Sequence, residues 1–285
     1  MDQLSTKDLI IGAYTNYNWD QIKFWANSID RCGFTGDKVM IVYNSDYNTV
    51  QRLIDNGFNV WAFNRDPVTG NYIWSKDLII VVQRFYHLWY YLNQLPVNSY
   101  RYVISTDVKD VVFQTNPSKW LEQNIGNNDI VASCESLLYR DEPWGADNMQ
   151  GSYPMIWDQT KDKPIWNCGV QAGRPDVLKD LWLNIYLTCK AGGRHNPDQA
   201  AYNLLLNTKA WSNVTLKAYS ESGWACQAGT TVDPQKISTF RSKLLEPEPI
   251  WDGNLVNTSS GTPHAILHQW DRIPNWKPII EKRYG

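Results

Sequence analysis

No apolar run in this 285-residue chain approaches the roughly 18 residues needed to cross a bilayer, so no membrane span is expected. No basic tract is present either. Lys and Arg number 27 against 29 Asp and Glu, for a net charge of −2, which argues against nucleic acid as a partner. The opening residues, MDQLSTKDLI, lack the basic stretch and apolar centre of a secretion signal, and the chain as given is expected to be cytoplasmic. Its five cysteines are scattered, with no C-x-x-C pair, so neither a zinc site nor a disulfide framework is expected. Missing too is a Gly-rich phosphate cradle. The stretch GAYTNYNWDQ after the first apolar run is neither a P-loop nor G-x-G-x-x-G. A phosphorylated ligand would need its charge met by other means.

Aromatic residues are abundant, with 15 Trp and 16 Tyr. Each ring taken singly is more often core than ligand surface, but so many amphipathic rings together suit a carbohydrate ligand.

The first half alternates buried-strand and helix signals. Strands are expected at Leu9–Tyr14, Lys38–Tyr43 and Phe58–Phe63, and again from Tyr102. Between them fall a helix carrying Ile22, Trp25, Ala26 and Ile29, a short one ending near Gly57, and a long one from about Asp77 to Leu95. The long helix has Val82, Phe85, Tyr86 and Trp89 on one stripe. In the second half, strands are expected at Asn128–Cys134 and Ile165–Gly173, with a long polar loop from Glu135 to Lys163 between them. Helices follow from Pro175 and within NPDQAAYN, then a tail of short strands from Thr208. The pattern implies an α/β fold with a mixed, mainly parallel sheet flanked by helices, in one domain spanning 1–285.

In YRYVISTDVKDVVF an apolar strand runs directly into Asp107 and Asp110 before a second apolar run begins at Val111. Ligands of open α/β sheets bind at the carboxyl ends of strands, and paired carboxylates there suit Mg²⁺ or Mn²⁺. A turn cap plus an ion pair with Lys109 explains the same spacing about as well.

Four segments then carry a resemblance covering most of the chain: LIIGAYTN, STDVKDVVFQ, NCGVQAG with NPDQAAYN, and HQWDR. The sequence resembles the GT-A fold, nucleotide-sugar-dependent glycosyltransferases, whose acidic D-x-D motif follows a central strand. It departs at the motif's third position, occupied by Lys109, with the second acid displaced to Asp110.

The resemblance implies a Rossmann-like sheet, a Mn²⁺ or Mg²⁺ cofactor, a nucleotide-sugar donor (UDP-sugar favoured over GDP-sugar) and a hydroxyl acceptor on a glycan or other molecule. It assigns the ion to Asp107, Asp110 and His268. The nucleotide falls to Ala13, Tyr14, Thr15, Asn16, Arg84, Thr106 and Asp107. Glu135, Asp198 and Gln199 become the catalytic candidates. Asn167 and Gly169 line the sugar pocket, while Asp141, Glu142, Trp144 and Asn148 serve recognition of the acceptor. Residues 1–134 would form the nucleotide-sugar half and 135–285 the acceptor half. For Asp198 a helix N-cap is the plain alternative, for Arg84 a solvated helix charge, and for His268 a structural role. A sugar-nucleotidyltransferase is the nearest rival, ranked lower for want of a basic Gly-rich loop. A non-catalytic carbohydrate-binding protein leaves the acidic turn unexplained, and a glycosidase has only Glu246 and Glu248 in its favour.

Overall fold

The computed structural model describes residues 5–74, 79–192 and 197–285. The chain opens with β1 (Leu9–Tyr14), α1 (Trp19–Arg31), β2 (Asp37–Val42), α2 (Tyr47–Asp55), β3 (Asn59–Ala62), α3 (Ile80–Asn93) and β4 (Val103–Thr106). Local chemistry explains the helix starts. Asn18 and Gln21 form a reciprocal capping box before α1, and Asp46 accepts from the Thr49 amide before α2. The expected start of the long helix, around Asp77, lies outside the described residues. Within α3, Val82, Phe85, Leu88 and Leu92 are buried, whereas Tyr86 and Trp89 sit half-exposed at its edge.

After β4 the chain leaves the main sheet. It forms β5 (Val111–Phe113), then α4 (Pro117–Asn124) and β6 (Ile130–Leu138). The supposed loop from Glu135 to Lys163 is largely structured: β6 runs on to Leu138, and α5 (Pro143–Ser152) and α6 (Trp157–Thr160) follow. Glu142 caps α5 and Pro143 takes its first position, but only Gly145, Met149 and Ser152 are buried, so the helix carries no apolar stripe to announce it. Next come β7 (Pro164–Gly173), α7 (Pro175–Ala191), α8 (Asp198–Leu206), α9 (Lys209–Ser212) and β8 (Thr215–Ala218). The tail holds β9 (Ala225–Gln227), α10 (Ala228–Thr231), α11 (Ile237–Phe240), the pair β10 (Ile250–Trp251) and β11 (Val256–Asn257), β12 (Ile266–His268) and α12 (Lys277–Tyr284).

The main sheet has the order β3-β2-β1-β4-β7-β6-β8. Its first four strands are parallel, β7 is antiparallel to both neighbours, and β8 is parallel to β6. Side chains alternate along β1: Ile10 joins a core with Trp25 and Ile29 of α1, while Leu9 and Ile11 join one with Phe85 of α3 and Trp182 of α7. A smaller sheet, β5-β12-β9, lies over a third core containing Leu267, Trp270 and Trp276. Five tryptophans (25, 166, 182, 224 and 270) are fully buried, so much of the aromatic excess packs the cores. Among the described residues no helix is long and apolar enough to cross a membrane.

Candidate active site

The acidic turn is where the chain passes from the large sheet to the small one. β4 ends at Thr106, and the Asp107 amide donates to the Gly169 carbonyl of β7 at 2.7 Å. The Thr106 hydroxyl faces the core, where it accepts from Trp25 Nε1 at 2.7 Å. β5 then pairs antiparallel with β12, setting Val111 against His268. Asp107 and Asp110 therefore lie at the carboxyl end of a central strand, with His268 delivered to the same spot from 158 to 161 positions further along the chain.

Asp107, Asp110 and His268 each offer one ligand atom, and those atoms lie within 4.8 Å of one another. His268 Nε2 is 3.6 Å from a carboxylate oxygen of each aspartate. Gly169 fits this cradle for a steric reason, because a Cβ there would meet Asp107 and His268. Two hard carboxylates and one imidazole around an uncrowded space are a donor set suited to Mn²⁺ or Mg²⁺. Burial works against charge on His268, but Asp110 and Asp107 outweigh it and push its pKa up. Burial likewise raises the Asp110 carboxyl, and His268 and Arg272 more than reverse that, holding it below its usual value.

Arg84 is largely enclosed between two acids, its side chain 11% exposed. Its guanidinium donates to Asp107 and reaches Asp198 Oδ2 at 3.4 Å, which excludes the solvated-charge reading. Asp198 itself is 7% exposed at the start of α8, where Pro197, not Asp198, holds the cap position. Burial raises its pKa against the opposing charge of Arg84. Glu135 is also buried and raised, chiefly by desolvation. Its Oε1 accepts from Asn167 Nδ2 at 2.9 Å and from Gln199 Nε2 at 3.0 Å. β6 loses register with β7 around this residue, and Ser136 has a φ of 59°. That bulge re-aims the strand beside the site, a use bulges commonly have.

Two adjoining cavities, of about 390 and 350 Å³, share Val81, Arg84, Asp107 and Arg272. The larger is lined by Glu135, Glu142, Trp144, Asn167, Gly169, Asp198, Gln199 and His268. The smaller is lined by Ala13, Tyr14, Thr15 and Asp110. Four of the residues singled out in the sequence stand apart, Thr106 among them, because its hydroxyl is taken up by Trp25 in the core and it lines neither cavity. Asn16 lines neither cavity and adopts a φ of 58° in the turn after β1. Asp141 faces Arg140 and Lys243, and Asn148 lies along α5 outside both linings.

The structure adds residues the sequence had not singled out. Tyr17 lines the smaller cavity with its ring stacked 6.3 Å from that of Tyr14. Its place in the AYTNY turn was a usable signal. Cys168, Thr230 and Lys236 line the larger cavity; Cys168 falls within the NCGVQAG segment, whereas nothing in the local sequence marks Thr230 or Lys236.

No protein-family model matches the sequence, and no curated protein matches it. Solved structures do share its fold. WbbM, a bifunctional glycosyltransferase in its apo form, superposes with a TM-score of 0.58 at 12% identity, over 99% of this chain and 53% of its own, so this chain spans about half of WbbM. The galactosyltransferase LgtC, in complex with donor and acceptor sugar analogs, gives 0.54 at 12% identity over 97% of this chain and 96% of its own. An active-site mutant of LgtC gives 0.51 at 13% over 91% and 86%. The fold is thus of the GT-A type.

Proposed function

We propose that this protein is a metal-dependent glycosyltransferase that moves a sugar from a nucleotide donor, a UDP-sugar in the first instance, to a hydroxyl of a glycan or other acceptor. One observation carries the reading: the Asp107, Asp110 and His268 donor group stands where a nucleotide-sized cavity and a polar, acid-lined cavity meet, in a GT-A fold. The expectation of one catalytic domain over 1–285 is retained, because the two halves of the chain contribute to one cleft.

In this reading Asp107, Asp110 and His268 hold Mn²⁺ or Mg²⁺, which when bound supplies charge stabilisation to the departing diphosphate. Ala13, Tyr14 and Thr15, with Tyr17, receive the nucleoside. Thr106 and Asn16 support that loop and strand without touching the ligand. Arg84, held by Asp107 and Asp198, provides a fixed cation beside the diphosphate and orients both acids. Asn167, Glu135 and Gln199 form one hydrogen-bonded unit in the larger cavity, suited to fixing sugar hydroxyls. Asp198 and Gln199 face the reacting carbon. Trp144, 55% exposed at the mouth, offers a ring to an acceptor sugar beside Glu142. Asp141 and Asn148 act at most at the outer rim.

A donor-hydrolysis screen with Mn²⁺ across UDP- and GDP-sugars tests the proposal. Slow release of UDP from one donor, abolished by EDTA, is the expected outcome. Release of GDP alone would reassign the base, and turnover of none would remove the transferase reading.

A further inference from the structure

We propose that Gln227 is a positioning residue for the metal site, fixing the tautomer and ring plane of His268. The inference rests on reading Asp107, Asp110 and His268 as an ion-binding group. Gln227 ends β9 and is 1% exposed, and the parallel β9–β12 pairing sets it directly beside His268. Its Oε1 lies 2.7 Å from His268 Nδ1. An amide oxygen only accepts, so Nδ1 carries the proton. In neutral His268, the form that binds a metal ion, Nε2 is then the unprotonated nitrogen, and it faces Asp107 and Asp110 at 3.6 Å from each.

Gln227 is itself held. Its Nε2 donates to Ser133 Oγ at 2.8 Å, and its main-chain carbonyl accepts from the hydroxyls of Thr230 and Thr231. The single Thr230 proton is shared with the Glu135 carbonyl, at 2.8 Å the shorter of its two contacts. Ser133 and Glu135 both belong to β6, so Gln227 ties the histidine ligand to the strand that lines the sugar cavity. Outer partners of this kind, locked by packing and further bonds, set the orientation of metal-bound histidines.

The test is Mn²⁺ binding in the presence of UDP, read from loss of the free-ion electron paramagnetic resonance signal. Gln227→Met keeps the length and removes the acceptor, and Gln227→Glu restores one. Gln227→Met is expected to weaken Mn²⁺ binding about 10- to 100-fold, and Gln227→Glu to return it to within a few-fold of wild type. Wild-type affinity in Gln227→Met would overturn the proposal, as would an equal loss in both variants. If Gln227→Met does not fold, Ser133→Ala carries the test, and unchanged affinity there would count against the proposal. Failure of the underlying reading looks different: wild type would then bind no Mn²⁺, or would bind it as well after Asp107→Ala.

Discussion

A Cβ placed on Gly169 would lie 2.6 Å from Asp107 Oδ2 and 2.9 Å from His268 Cε1. Glycine is thus a condition for leaving space between the aspartate and the histidine. Gly169 sits in a β-strand with no unusual backbone angle to satisfy, so Gly169→Ala should disturb the cradle more than the fold. The expected result is a lowered Mn²⁺ affinity with a melting temperature within a few degrees of wild type, read by metal titration and calorimetry on one preparation.

Asp198 is proposed to face the reacting carbon, and its carboxyl also holds Arg84. Asp198→Asn preserves the size of the side chain and should reduce kcat about 10²- to 10⁴-fold, the range usual for losing a positioned carboxylate, with little change in UDP affinity. Asp198→Ala should also destabilise the protein, because a largely enclosed arginine loses one of its two acids. Steady-state kinetics on the Asn variant and denaturant melts on both separate the two effects.

Trp144 is exposed at the mouth of the larger cavity, next to the buried Glu142 that caps α5. Trp144→Ala should raise the acceptor KM about 10-fold, as loss of a stacking ring costs roughly 1–1.5 kcal/mol, and should leave donor hydrolysis unchanged. A fall in donor hydrolysis instead would place this ring on the donor side.

His87 and His264 are both buried, and burial holds each ring's pKa down to about 4. The folded value lies below the ordinary 6.5, so the unfolded chain takes up protons that the folded chain refuses. Their stabilisation is full above pH 6.5 and is lost as pH falls toward 4, by on the order of 2 kcal/mol for each ring. Glu135 and Asp198, with raised values, act in the opposite sense. The measurement is therefore a difference: urea melts at pH 7.5 and 5 should show a smaller loss in His264→Met than in wild type.

The sheet and the acidic turn were legible because they break or obey simple rules. Alternating apolar runs and amphipathic stripes predict β1 to β4, and two carboxylates directly after a buried strand contradict core chemistry unless something meets their charge. What made the turn sensible only in three dimensions is that it links two sheets. The small sheet's pairing of β5 with β12 joins residues far apart in sequence, which no local pattern announces. α5 was hidden because it has no buried stripe, and Ser136 because serine is a poor advertisement for a left-handed backbone. Arg84 reads as one more helix charge until Asp107 and Asp198 close around it. Gln227 and Lys236 have no sequence signal at all, since their relevance is purely one of placement.

A divalent cation held at Asp107 is proposed to join the protein to a nucleoside diphosphate. Isothermal titration of UDP into the wild-type protein, in Mn²⁺ and then in EDTA, tests it most directly beside Asp107→Ala. UDP is expected to bind in Mn²⁺, to lose that binding in EDTA, and to bind the variant at least about 100-fold more weakly. Equal UDP affinity in all three titrations would contradict the proposal.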